Sequence, residues 1–252
     1  MKTFPEKIQR IEFEARIFVS FAIVAAVCGL SFTVFQHFPL TGALPGLLIG
    51  LSENQSLTLA YLLAALTMVA ASLLRMWAGS FLTSRRMMRF EVQNDGLVTG
   101  GPYRLVRNPI YLSDLIAFVG FALVLPPIGL LMPLLLFFHY EQIIRYEEKA
   151  LRRNHPQAFS RFCQLVPRLL PDRTIFSRLR KARREWVINR DGFVHNALYL
   201  LFIPGFLWSA YTHYLLHALI LGLPAVVLWT VLHIRIGLGH STPGANVESV
   251  KR

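Results

Sequence analysis

Six long apolar runs separated by polar segments organise this chain of 252 residues: Ile17–Phe35, Leu57–Leu74, Ile110–Leu125, Ile128–Ile144, Phe193–Tyr211 and Leu215–Leu232. Each is close to the roughly 17–25 residues that a helix needs to cross a hydrocarbon core. The pattern predicts an all-α, polytopic membrane helix bundle of about six spans. The third and fourth runs turn at Pro126-Pro127, where two prolines end one helix before the next begins. The fourth run leads into Arg145–Arg153, predicting a helix that continues beyond the membrane until Asn154-His155-Pro156 breaks it. Phe159, Phe162, Leu165 and Val166 then mark an amphipathic segment. Residues 1–16 alternate charged and apolar positions, as a short interfacial helix does. The tail from residue 237 reads as disordered.

Composition sharpens this picture. Hydrophobic residues make up 54% of the chain and charged residues 16%, against about 25% charged in a typical soluble domain. The net charge of +12 raises the question of nucleic acid, and its distribution answers it. Lys and Arg fall in four blocks, residues 1–16, 75–109, 145–190 and 233–252, while the connections 36–56, 126–127 and 212–214 hold none. Six spans put all four blocks on one side, which the positive-inside rule makes cytoplasmic together with both termini. The excess charge then meets anionic membrane lipids, and no nucleic-acid partner is expected. Two cysteines, Cys28 and Cys163, do not form a disulfide framework. The first apolar run is too long for a typical signal-peptide core, so a retained first helix is expected. Four regions follow: residues 1–56 with the first span and an outer loop, a core at 57–172, a basic connector with a second hairpin at 173–236, and the tail 237–252. Oligomeric state is open.

Two polar segments carry candidate chemistry. Gly100-Gly101-Pro102 makes a tight turn that lets backbone approach a ligand. Asn108-Pro109 sets a helix start whose free N–H groups suit an anion. Arg104 and Arg107 add charge there, and Tyr103 and Tyr111 add aromatic faces that attract cations such as a sulfonium. In the second segment, Arg145 is able to hold a carboxylate and Glu147 or Glu148 an ammonium group. Glu147 and Glu148 point about 100° apart on a helix, so one is expected toward the site and the other toward solvent. The blander readings are a helix start with interfacial anchors and a solvated helix end with Glu148 paired to Arg152. Asp114, one turn into the third run, either touches a ligand or caps backbone. His213 and His217 share a helical spacing used by metal ligands, but no third ligand lies nearby and no metal site is expected.

Taken together, Leu97-Val98-Thr99, Gly101-Pro102-Tyr103, Arg107-Asn108-Pro109, Tyr111, the span hairpin, Arg145, Glu147-Glu148, Leu151, Phe159 and Val166-Pro167-Arg168 with Pro171 resemble the isoprenylcysteine carboxyl methyltransferase family and the related membrane phospholipid methyltransferases. The resemblance covers about residues 60–171. It implies an integral membrane enzyme that uses S-adenosyl-L-methionine from the cytoplasmic face and a lipid-like acceptor from the bilayer. It further implies a cofactor shell of Leu97, Val98, Tyr103, Arg107, Asn108, Pro109, Tyr111 and Glu147, with Glu147 on the methionine ammonium. Arg145 lies near the family's acceptor-orienting arginine. Glu148 is the candidate base for an amine acceptor, whereas a carboxylate acceptor needs no base. The family often has His where Asn108 stands, and Asn does not titrate. Residues 173–236 lie beyond the usual family unit. Two other readings account for the spans: an NADPH-dependent membrane reductase of sterol-reductase-like type, and a non-enzymatic membrane scaffold.

Overall fold

The computed structural model describes residues 13, 15–81, 97–185 and 196–238. Among these residues the chain is all-helical. The main helices are α1 (Arg16–Thr33), the short α2 (Leu44–Leu48), α3 (Glu53–Gly79), α4 (Pro109–Leu123), α5 (Leu131–Asn154), α6 (Pro156–Leu165), α7 (Ile175–Ala182), α8 (Ile203–Thr212) and α9 (Leu215–Leu238). The interfacial helix expected in residues 1–16 lies almost entirely outside the described residues, as does the tail.

Among the described residues three stretches are long and apolar enough to cross a membrane: α1, α3 and Pro127–Asn154, which joins a 3-10 turn to α5. The other expected spans form shorter apolar helices. α4 has 15 residues, held between the Asn108-Pro109 start and the Pro126-Pro127 turn. The fifth is split, a 3-10 segment Ala197–Phe202 giving way to α8 just before Pro204. The sixth covers Leu215–Leu228 within α9. α1 leaves Phe18 74% exposed, and Leu48 on α2 is 85% exposed. Apolar side chains so exposed are the expected outer surface of a helix bundle in lipid.

α3 is the central helix. Its start is a capping box: the Gln55 backbone N–H donates to Ser52 Oγ (3.3 Å), and the Ser52 N–H donates to Gln55 Oε1 (3.0 Å). Two orphan donors at the helix start are thereby satisfied. α3 packs most extensively on α4. Ala64, Ala71 and Ala117 are fully buried there, and Gly120 sits where an added Cβ would lie 2.1 Å from Thr67 Oγ1. Small residues let the two backbones approach, which is how apolar helices associate without a hydrophobic driving force.

Tyr199, Phe202 and Phe206 share this core with Tyr61, Met68 and Ala117. The C-terminal hairpin is therefore built into the bundle. α5 reaches Asn154, and the break at His155-Pro156 redirects the chain into α6, whose Phe159 and Phe162 are buried against Tyr103 and Val166. That fold-back returns Val166–Arg168 to the start of α4.

Candidate functional site

The start of α4 is tied to the chain that follows α6. The Arg107 N–H donates to the Pro167 carbonyl (2.9 Å), and Asn108 Nδ2 donates to the Arg168 carbonyl (3.0 Å). Asn108 therefore serves as a strut between segments 60 residues apart and makes no side-chain cap on its own helix. Leu97 and Val98 pack beside Tyr103, Phe159 and Phe162. Leu97, Val98, Tyr103, Arg107, Asn108 and Pro109 thus meet around one junction, and Tyr111 and Glu147 meet one turn further on.

The two glutamates do diverge, but neither as a freely solvated group. Tyr111 Oη donates to Glu147 Oε1 at 3.0 Å, which leaves Oε2 as the second acceptor atom. Glu148 is buried, 6% exposed. Its Oε1 accepts from Arg107 Nε (3.0 Å) and Nη2 (2.8 Å), and its Oε2 accepts from Arg168 Nε (3.1 Å). The Glu148–Arg152 pair of the blander reading is replaced by these contacts, while the Arg152 guanidinium lies over the Phe159 ring at 5.9 Å. A buried carboxylate between two guanidiniums has its charge compensated, as burial requires.

Arg107 also donates through Nη1 to the carbonyls of Val166 (2.7 Å) and Cys163 (3.3 Å). It thereby ties together the α4 start, the α5 end and the α6 end. Arg168 Nη1 donates to Glu141 Oε2 (3.1 Å), the atom that Arg145 Nε approaches at 3.4 Å. Burial alone would lower the Arg168 affinity for its proton, but hydrogen bonds and charge from Glu148 and Glu141 outweigh it and raise the pKa. The Arg145 side chain is 64% exposed. Arg145 and Glu148 are joined only through Glu141 and Arg168.

The Gly100-Gly101 turn is held from the connector. Gly101 N–H donates to Glu185 Oε2 (2.9 Å), and Arg104 pairs with the same carboxylate (2.7 Å to Oε1). The hydrogen bond from Arg104, aided by that from Gly101, lowers the Glu185 pKa. Gly101 has φ +52°, in the left-handed region, and its Cα abuts the Phe81 ring; this turn needs glycine.

A second cluster lies deeper. Asp114 Oδ1 accepts from Arg75 Nη1 and from Tyr199 Oη (2.6 Å). Of the two readings of Asp114, backbone capping is replaced by this side-chain pairing. Sequence reasoning missed Arg75, Tyr199, Arg168 and Glu185. Arg168 had a signal, its place in the Val166-Pro167-Arg168 motif. Arg75 and Tyr199 sit 39 and 85 residues from Asp114, and no local spacing announces them.

His213 and His217 point to separate hydroxyls, Thr58 (3.0 Å) and Thr212 (2.6 Å). Among the described residues no three His, Cys, Asp or Glu side chains converge as a metal site.

Comparison with known proteins covers the α4 start and the α5 end of this junction. Residues 59–158 match the phospholipid methyltransferase family. The cobalt-zinc-cadmium resistance protein CzcN of Cupriavidus metallidurans is 27% identical over 161 residues, 62% of this chain and 69% of that protein. The nickel-cobalt-cadmium resistance protein NccN of Alcaligenes xylosoxydans xylosoxydans is 30% identical over 104 residues, 40% of this chain and 45% of that protein. No solved structure matches the chain.

Proposed function

We propose, on the premise of the phospholipid methyltransferase match over residues 59–158, that the chain is a multi-pass membrane methyltransferase. In this reading it uses S-adenosyl-L-methionine and modifies a lipid-like acceptor. All six apolar segments are membrane-embedded, with the site and both termini on the cytoplasmic face. The observation that carries the proposal is the divergence of Glu147 and Glu148. One is locked in a structural clamp, and the other is left with an available carboxylate oxygen beside Tyr111.

The residues present fit the cofactor. Glu147 Oε2 has no described hydrogen bond and offers a carboxylate to the methionine ammonium. In this reading Tyr103, Tyr111, Asn108, Pro109, Leu97 and Val98 would form the rest of the shell. When bound, the cofactor supplies a methyl group already activated on a sulfonium. The chain then has to position the acceptor and exclude water. Arg107 and Glu148 act as positioning residues, because their donors and acceptors are engaged with one another and with α6. Arg145, exposed and only loosely tied to Glu141, is free to orient an acidic group at the membrane surface.

The metal-resistance names of the two relatives suggest a setting. We place in it the modification of a membrane component, in keeping with the phospholipid methyltransferase match.

Calorimetric titration of S-adenosylhomocysteine into detergent-purified protein tests the cofactor assignment. Wild-type binding that Glu147→Ala abolishes is the expected result. A well-folded wild type that binds none overturns the proposal, and NADPH binding by the same sample would favour the reductase reading.

A further inference from the structure

A cavity of about 370 Å³ lies between α1, α4, α5 and the C-terminal hairpin. Its walls are apolar, with Val24 and Cys28 on one side and Phe121, Phe202, Phe206 and Leu219 on the other. Phe121 meets Phe202 edge-on at 5.0 Å and Phe206 at 5.8 Å, so the hairpin supplies a wall of packed rings. Residues 197–226, which complete this wall, lie outside the family-matched stretch 59–158. The cavity is therefore walled in part by residues beyond the family match.

Its polar end is the Arg75–Asp114–Tyr199 cluster, joined by Ser20, Tyr140, Tyr111 and Arg16. Tyr111 links the cavity to the site above, since its hydroxyl is bound to Glu147. Asp114, three residues on, lies about 4.5 Å further along the helix axis. At the polar end itself the charges are matched, because Arg75 is paired with Asp114. The Arg75–Asp114 pair is thus charge-balanced, and a charged group placed against it would enter uncompensated, which low-dielectric surroundings penalise. Yet hydrogen-bonding capacity remains. Both bonds to Asp114 fall on Oδ1, leaving Oδ2 as an acceptor. Arg75 is itself only 9% exposed.

Size narrows the occupant. An apolar cavity of roughly 150 Å³ accommodates a benzene ring, so this one takes on the order of 15 non-hydrogen atoms. A diacyl phospholipid is several times larger.

We propose that this cavity binds a single-chain amphiphile with an uncharged hydroxyl head group, the head read by Asp114 and the chain by the hairpin wall. The hydroxyl would donate to Asp114 Oδ2. That this molecule is the methyl acceptor rests on the methyltransferase reading; the binding site itself does not.

Full-length protein in lipid nanodiscs would be photolabelled with a diazirine-bearing dodecanol, and the labelled peptides mapped by mass spectrometry. The expected result is labelling within residues 197–226 and on α1, competed by dodecanol about tenfold better than by dodecanoate or dodecylammonium. Val24→Trp, which fills the cavity without touching its polar end, should suppress labelling. Asp114→Asn should erase the preference for the alcohol. Labelling elsewhere, labelling insensitive to Val24→Trp, or equal competition by the charged amphiphiles overturns the inference. S-adenosylhomocysteine binding, measured in parallel, separates the two proposals. Lost cofactor binding with cavity labelling intact sinks methyl transfer alone, and intact cofactor binding without cavity labelling sinks this site alone.

Discussion

Glu148 is held by two arginines of very different exposure, and the difference predicts how the clamp divides its energy. The Glu148 side chain is 7% exposed, Arg107 10% and Arg168 35%. Removing one member of a buried pair strands the other charge and costs about 3–5 kcal/mol, whereas a pair with an exposed partner is worth about 0–1 kcal/mol. Arg107→Met should therefore destabilise by about 3–5 kcal/mol. The loss includes the carbonyls of Cys163 and Val166, which lose their donor at about 1 kcal/mol each. Arg168→Met should cost about 1 kcal/mol or less.

The sharper quantity is the coupling. Glu148→Leu, each arginine variant and the two double mutants define two cycles, read from SDS-induced unfolding in mixed micelles by loss of helical circular dichroism. A coupling of about 3 kcal/mol for Glu148–Arg107 against about 1 kcal/mol or less for Glu148–Arg168 is expected. Because a buried pair replaced by apolar side chains is often tolerated, the Arg107→Met/Glu148→Leu double mutant should be more stable than Arg107→Met alone. Equal couplings, or a coupling with Arg107 below about 1 kcal/mol, would refute the assignment of Arg107 as the strut of the junction.

Three further outcomes are expected. Glu185 has a lowered pKa, so its hold on Gly101 is complete above the ordinary glutamate value of about 4.3 and fades as pH falls through its lower folded value; hydrogen exchange at the Gly101 amide, relative to Glu185→Gln at the same pH, should converge with that variant under acid, and a constant difference down to low pH would contradict this. Gly101→Ala should cost about 1–3 kcal/mol, since the backbone is left-handed there and the new Cβ would sit 2.3 Å from the Phe81 ring; an unchanged unfolding midpoint would count against the turn geometry. Gly120→Ala should destabilise by about 1–3 kcal/mol through its collision with Thr67 Oγ1, and Thr67→Ala should restore most of that loss in the same unfolding assay; no rescue would mean that α3 and α4 do not meet at this point.

The hydrophobic pattern alone located the apolar helices, the diproline turn and the continuation of α5 to Asn154, because helix length and proline act locally. The 3.6-residue period also foretold that Glu147 and Glu148 diverge. It set the angle between them and left open what stands opposite each one. The expectation that one faces solvent failed, since α6 folds back and delivers Arg168 while the α4 start delivers Arg107. Likewise Asn108 was legible as a helix start, but its role as a strut to the Arg168 carbonyl depends on a segment 60 residues away.

The apolar run Phe193–Tyr211 read as one span, yet Pro204 and packing of Tyr199 and Phe202 against α3 and α4 yield a 3-10 segment followed by a short helix. The Arg75–Asp114–Tyr199 cluster and the cavity it closes belong wholly to the tertiary structure. A single sequence encodes the direction in which each side chain leaves its helix, through a short-range periodicity. Which helices lie side by side, and so which charges meet, is decided by the close packing of alanines and glycines along α3 and α4 and by the rings of the C-terminal hairpin, contacts between residues far apart in the chain.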